Sequence, residues 1–235
     1  SFIDYQVGQI LDYLESEDEL DNTLILYTSD HGELLGDYDC YGKRSFLDAA
    51  ARIPLLVRYP ERFAANTQCD TPASLVDVLP TCLGAANLPL QTDRSGMDLA
   101  DIATGNLQRD AIVGQLGQES TGLYMLLTEE YKYIFSAADR KEWLFRRLRG
   151  RLDDRNLAGN PAYSRVLNTY RQRLIEWFRE DGYELPLDGN KWRDFPSPVE
   201  PENPDAGQLF QDGRSVSDQF PSGYSPHIDP LRRSS

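Results

Sequence analysis

Hydrophobic positions change period along the chain, and each change marks an element. Phe2, Ile3, Val7, Ile10, Leu11 and Leu14 recur at helical spacing, predicting a helix over 1–18 with one apolar face turned to a core. Ser1 and Asp4 have the spacing of a capping box at its start. After an acidic connection, Glu15–Asp21, the run Leu24-Ile25-Leu26-Tyr27 is continuously apolar. It predicts a buried strand over 23–28, of the kind found in parallel sheets, where further strands are needed as partners. The run stops at Ser29-Asp30-His31-Gly32-Glu33, and a second apolar run, Ile53-Pro54-Leu55-Leu56-Val57, follows a polar, glycine-containing loop and a small-residue segment, Asp48–Arg52. Thr71-Pro72 reads as an N-cap and first helical position. Leu75, Val76 and Leu79 then face inward, and Pro80 divides the segment into two short helices.

From residue 111 the texture is different. Ala111–Leu116, Gly122–Thr128, Tyr131–Ser136 and Trp143–Arg147 are short, β-rich and separated by turns, with Glu129-Glu130 and Ala137–Arg140 as hairpin connections. They predict an antiparallel sheet of about four strands. A helix follows, with Pro161 near its start and Tyr163, Val166, Leu167, Tyr170, Leu174, Trp177 and Phe178 as its apolar face. Residues 184–235 hold eight of the fourteen prolines and no periodicity. Trp192, Phe195, Phe210, Phe220 and Tyr224 could pin this tail to the body as an extended wrap, with disorder as the competing reading. The expected division is 1–110, 111–183 and 184–235.

Composition narrows the function classes. A chain of 235 residues, 40% hydrophobic, can bury a core. No apolar run reaches the roughly 18 residues that a membrane span needs, so no membrane partner is expected. The net charge of −14 argues against nucleic acid as a partner, and any anion site must be a local basic pocket with a cation. Cys40, Cys69 and Cys82 lack metal-ligand spacing and imply no complete disulfide framework; buried or free thiols are expected.

Candidate chemistry sits where the first strand ends. In an open α/β sheet, ligands collect beyond the carboxyl ends of strands. Asp30 and His31 side by side there suit a metal ion or an anionic group; alone, the pair also suits a strand-end turn with His31 as hydrogen-bond partner. Lys43 is either an anion-binding cation or a surface lysine, and Arg52 fits best as an ion-pair partner of Asp48 one turn away. Taken together, TSDHGELLGD, then GKRSF, then RIPLL resembles the sulfatase family of the alkaline-phosphatase-like superfamily, a compound match over more than thirty residues. Downstream, SLVDVLPTCLGAANLPL and the later Glu142-Trp143-Leu144-Phe145 with Asp153–Ala158 resemble collinear family segments, in which Asp77 is structural rather than catalytic. Tyr38 stands where the family often has His, a departure that bears on substrate choice.

The resemblance implies an α/β fold: a partial sulfatase-like sheet with helices, then a small C-terminal antiparallel sheet packed with one helix, then the extended tail. It implies metal-dependent hydrolysis of a sulfate ester on a sulfated small molecule or carbohydrate. Asp30 and His31 are the implied metal ligands, for a divalent cation expected to be Ca²⁺. Lys43 and His31 are the implied catalytic contacts to the sulfate, Lys43 adding positive charge at its oxygens. In the family the nucleophile is a formylglycine in an N-terminal half not represented here, so the chain is expected to be a piece of a longer protein and inactive by itself. Ser136-Ala137-Ala138-Asp139-Arg140 fits the loose pattern of the modified residue, but it follows the SDHG strand instead of preceding it, and reads as a hairpin turn. His227 reads as a tail residue and no ligand. A secreted, periplasmic or lysosomal location is expected by resemblance. Two alternatives remain: a phosphonate or phosphodiester hydrolase of the same superfamily, and a non-catalytic binding or scaffold protein that kept the fold.

Overall fold

The computed structural model describes residues 1–89, 95–148, 153 and 155–196. The chain divides into two compact units, one made of Ser1–Asp30 and Ile53–Ile112, the other of His31–Arg52 and the chain from Val113 onward.

In the first unit, α1 (Phe2–Ser16) begins where expected, with the Ser1 hydroxyl accepting from the Asp4 amide at 3.2 Å. It does not face a core. None of its residues is buried, and Phe2, Ile3, Tyr5, Ile10 and Tyr13 are exposed. β1 (Ile25–Thr28) pairs antiparallel with β2 (Leu55–Arg58), Leu26 opposite Val57. The expected parallel, buried strand is therefore not what forms: among the described residues β1 and β2 make a two-stranded ribbon, and Tyr27 and Leu56, opposite one another on it, are exposed. Arg58 ties the ribbon back to the preceding turn, donating to the Leu20 carbonyl at 2.5 Å and pairing with Asp21.

Residues 71–74 are not helical. A 3-10 turn, Leu75–Asp77, starts from Ser74, whose side chain and that of Asp77 form a reciprocal capping box. It leads into α3 (Val78–Ala85), which runs through Pro80, tolerated because it lies in the first turn, where no intrahelical amide bond is lost. The inward face also differs from expectation: Asp77, Pro80 and Thr81 are buried, whereas Leu75, Val76 and Leu79 are exposed. The buried carboxylate explains this. Asp77 accepts from the Ser74 and Met97 amides at 2.7 and 2.9 Å and from both ends of the Arg109 fork at 2.9 and 2.5 Å. Its structural role is as expected. α4 (Leu99–Thr104) follows, capped by Asp98, whose other oxygen takes Arg62 Nη2 at 2.8 Å. Gly84 makes room for that pair: a Cβ there would lie 2.0 Å from Asp98 Oδ2 and 2.4 Å from Arg62 Nη1.

The second unit holds the expected four-stranded sheet, in the order β3 (Ile112–Leu116), β4 (Leu123–Leu127), β5 (Tyr131–Ser136), β6 (Lys141–Arg146). β4–β5 and β5–β6 are antiparallel, with Met125 and Trp143 both opposite Ile134. α5 (Ser164–Glu180) packs on β4 and β5 through Leu167, Tyr170, Leu174, Ile175 and Phe178. Ile175 replaces the expected Trp177, which is exposed. Residues 187–192 form a hairpin, β7 (Leu187–Asp188) with β8 (Lys191–Trp192), so this part of the tail is folded onto the body. Trp192 stacks on Phe135 at 4.5 Å and on Tyr124 at 5.5 Å, and its indole N–H donates to the Tyr133 hydroxyl at 2.8 Å. Phe210, Phe220, Tyr224 and His227 lie outside the described residues.

Candidate functional site

The loop from His31 to Arg52 is built by backbone pairing. The Gly32 amide donates to the Ala50 carbonyl at 2.7 Å, Glu33 to Ala49 at 3.0 Å and Leu34 to Gly42 at 2.8 Å, so the two arms run side by side. Gly32 permits this approach: a Cβ would sit 2.1 Å from the Ala49 carbonyl oxygen. At the turn, Gly36 and Gly42 have φ of 101° and 94°, and Leu35 and Tyr38 also take positive φ. Leu34 is buried beneath the turn, and the Glu33 carboxylate accepts from the Gly42 amide. These contacts bring residue 43 back beside residue 31.

There, Lys43 Nζ lies 2.7 Å from His31 Nε2. His31 Nδ1 is 2.7 Å from the Gly32 carbonyl, which can only accept, so Nδ1 carries the proton and Nε2 presents its lone pair to the lysine ammonium. Lys43 is exposed and His31 half-buried, a cation held in place at a solvent-accessible point. Asp30 is exposed just after β1, its Oδ1 3.4 Å from the Ser29 hydroxyl. The structure thus brings Lys43 to His31; Asp30 precedes His31 directly in the chain but belongs to the other compact unit.

An exposed carboxylate like that of Asp30 suits a hard divalent cation, which takes oxygen ligands. His31 suits it less, since Nε2 already faces the ammonium. Among the described residues no group of three or more His, Cys, Asp or Glu could hold a metal by itself.

Sequence reasoning missed the residues that anchor the loop. α2 (Asp48–Ala51) closes it, and Arg52 pairs with Asp48 at 3.6 Å, as expected. Asp48 also takes Lys132 Nζ at 2.6 Å. Lys132 is 2% exposed, and it further donates to the Phe46 carbonyl at 2.8 Å and pairs with Asp153. Asp153 accepts from the Asp48 amide at 2.9 Å through its side chain, and from the Tyr38 hydroxyl through its backbone carbonyl. Burial pushes the Asp153 carboxyl above the usual carboxylate range, against the pull of the Lys132 ammonium. Nothing local in the sequence marks Lys132: Phe46 and Asp48 lie more than eighty residues before it, and Asp153 lies beyond the next strand.

Several other candidates resolve plainly. Ser136 is buried at the end of β5, where the hairpin turn begins, its hydroxyl 2.9 Å from Asp139 Oδ2. Cys40, Cys69 and Cys82 are free and exposed rather than buried.

Residues 1–88 match the family model described as Sulfatase. The choline-sulfatase of Rhizobium meliloti (strain 1021) is 32% identical over 166 residues, 68% of this chain and 32% of that protein. A protein solved in complex with its substrate D-glucosamine-2-N,6-O-disulfate superposes with a TM-score of 0.64 at 26% identity, covering 76% of this chain and 38% of that one. The phosphonate monoester hydrolase of Agrobacterium radiobacter superposes with a TM-score of 0.64 at 25% identity, covering 76% and 39%. The chain therefore spans between about a third and two fifths of the length of these relatives.

Proposed function

We infer, from a chain that belongs through residues 1–88 to the sulfatase family and shares the alkaline-phosphatase-like fold of its solved relatives, that the whole protein hydrolyses a sulfate ester. The observation that carries the reading is the 2.7 Å contact between Lys43 Nζ and His31 Nε2, next in sequence to a strand-end carboxylate. Ester hydrolysis at sulfur needs positive charge at the sulfuryl oxygens as charge moves to the leaving alcohol. Lys43 supplies a fixed ammonium there, and an ammonium has three donors, enough to serve His31 and an anion together. His31, its proton held on Nδ1 by Gly32, orients that ammonium through Nε2. Asp30 is the residue suited to ligate a divalent cation, Ca²⁺ by its preference for oxygen; that ion supplies charge neutralisation at the sulfate when bound. His31 would join it as a ligand only with Lys43 displaced, so the contact favours His31 on the sulfate side. In the sulfatase family the nucleophile is a formylglycine, which we place outside residues 1–235.

The substrate is a sulfated small molecule or carbohydrate, in keeping with the choline-sulfatase and the D-glucosamine-2-N,6-O-disulfate complex among the relatives. A secreted, periplasmic or lysosomal setting fits the family, and among the described residues no helix is long and apolar enough to cross a membrane. A phosphonate monoester hydrolase is the second reading, favoured by the Agrobacterium radiobacter structure. The full-length protein assayed on an aryl sulfate and on an aryl phosphonate monoester separates the two. Sulfate release, lowered about 10²–10³-fold in kcat by Lys43→Ala, is the expected result; phosphonate turnover without sulfate release transfers the site to the second reading, and turnover of neither leaves a binding protein.

A further inference from the structure

Lys132 is a fully buried ammonium that the chemistry above does not use, and its three oxygen partners among the described residues all concern the candidate site's loop. Two of them hold residues 46 and 48 of that loop, 2.8 Å to the Phe46 carbonyl and 2.6 Å to Asp48 Oδ1. The third is Asp153, which returns to the same loop twice, to the Asp48 amide and to the Tyr38 hydroxyl. Residues 38 and 48 bracket Lys43. Between them the loop carries one positive-φ glycine, Gly42, and little regular structure, so the position of the Lys43 ammonium depends on where its flanks are fastened. The fastening point is β5, an inner strand of the sheet with a partner on each side and α5 packed against it. All of these residues lie in one compact unit.

We propose that Lys132, through Asp48 and Asp153, is a positioning residue that fixes Lys43 and His31 against the sheet. It is not a catalytic residue: its donors are occupied by protein, and it is 2% exposed. An ammonium suits this place because three acceptors converge on one point; an apolar side chain would fill the space and hold none of them. The inference rests on the sulfate-hydrolysis reading for its kinetic arm only. A displacement of Lys43 by a fraction of an ångström weakens stabilisation of charge that develops in the transition state, so the loss falls on kcat rather than on KM.

The test uses the full-length protein with Lys132→Met and, because one replacement leaves buried carboxylates without their cation, the paired Lys132→Met with Asp153→Asn, which removes one of the stranded charges. Two readouts are taken on whichever variant folds. The first is sulfate release from an aryl sulfate: kcat is expected to fall about tenfold or more, with KM within about threefold. The second is amide hydrogen exchange. The amides of Gly32, Glu33, Leu34 and Asp48 are expected to lose protection, while those of β4, β5 and β6 keep theirs. Unchanged kcat, or a loss confined to KM, overturns the proposal, as does protection lost equally across the sheet, which would make Lys132 a part of the core and nothing more. If the unsubstituted protein releases no sulfate, the hydrolytic reading fails separately, and exchange at 32–34 alone decides whether the tether exists.

Discussion

Gly32 shows how much of the site one atom can decide. Its backbone passes so close to Ala49 that an added methyl would lie 2.1 Å from the carbonyl oxygen, with no flexible side chain to give way. Gly32→Ala is therefore expected to part the two arms of the loop and to cost about 1–3 kcal/mol, read as a lower midpoint in urea with an unchanged m-value. At this scale the sequence was legible where the chemistry is local. Asp30 and His31 are neighbours, and Lys43 follows within one loop, so a short pattern holds them. The hold of Lys132 and Asp153 on the loop was invisible for the opposite reason. Lys132 stands between two tyrosines in a strand whose residues are all buried, so no alternation singles out its side as special. Its meaning comes from Phe46 and Asp48, which only folding brings near.

Elements were easier to name than to orient. The segment 75–85 is helical as its pattern says, yet it turns Asp77 and Thr81 inward and Leu75 and Leu79 outward. A pattern of apolar residues assumes that burial follows hydrophobicity, and a carboxylate that satisfies four donors defeats the assumption. The pair with Arg109 carries a strong expectation. Asp77→Ala leaves a guanidinium buried without its partner and two amides without an acceptor, and should destabilise the chain by about 3–5 kcal/mol. Thermal or urea unfolding measures it; a loss below about 1 kcal/mol would mean that water reaches Arg109. The C-terminal sheet was legible strand by strand because its turns are short and its contacts lie between sequence neighbours. The β1–β2 pairing was not, since a continuous apolar run fits a parallel or an antiparallel partner equally.

For the molecule as a whole, acidity and buried tyrosines set the response to pH. Burial pushes the Tyr124 phenol up to about 12, and burial with the adjacent Glu142 pushes Tyr133 well above its ordinary value. Both are acids that the folded chain keeps protonated. Their contribution is complete below about pH 10, where the unfolded chain also holds these protons, and is lost as pH rises toward the folded values. Tm should stay level from about pH 7 to 9 and fall from about pH 10 upward; a Tm still level at about pH 11.5 would show that water reaches these phenols. The hairpin that covers them has a consequence of its own. Of the three tryptophans, Trp192 alone stacks on Phe135 and Tyr124, while Trp177 is exposed. Its fluorescence is thus a natural lamp inside the C-terminal sheet, and a red shift in emission would announce, without any label, the moment at which the strand pair carrying it peels away.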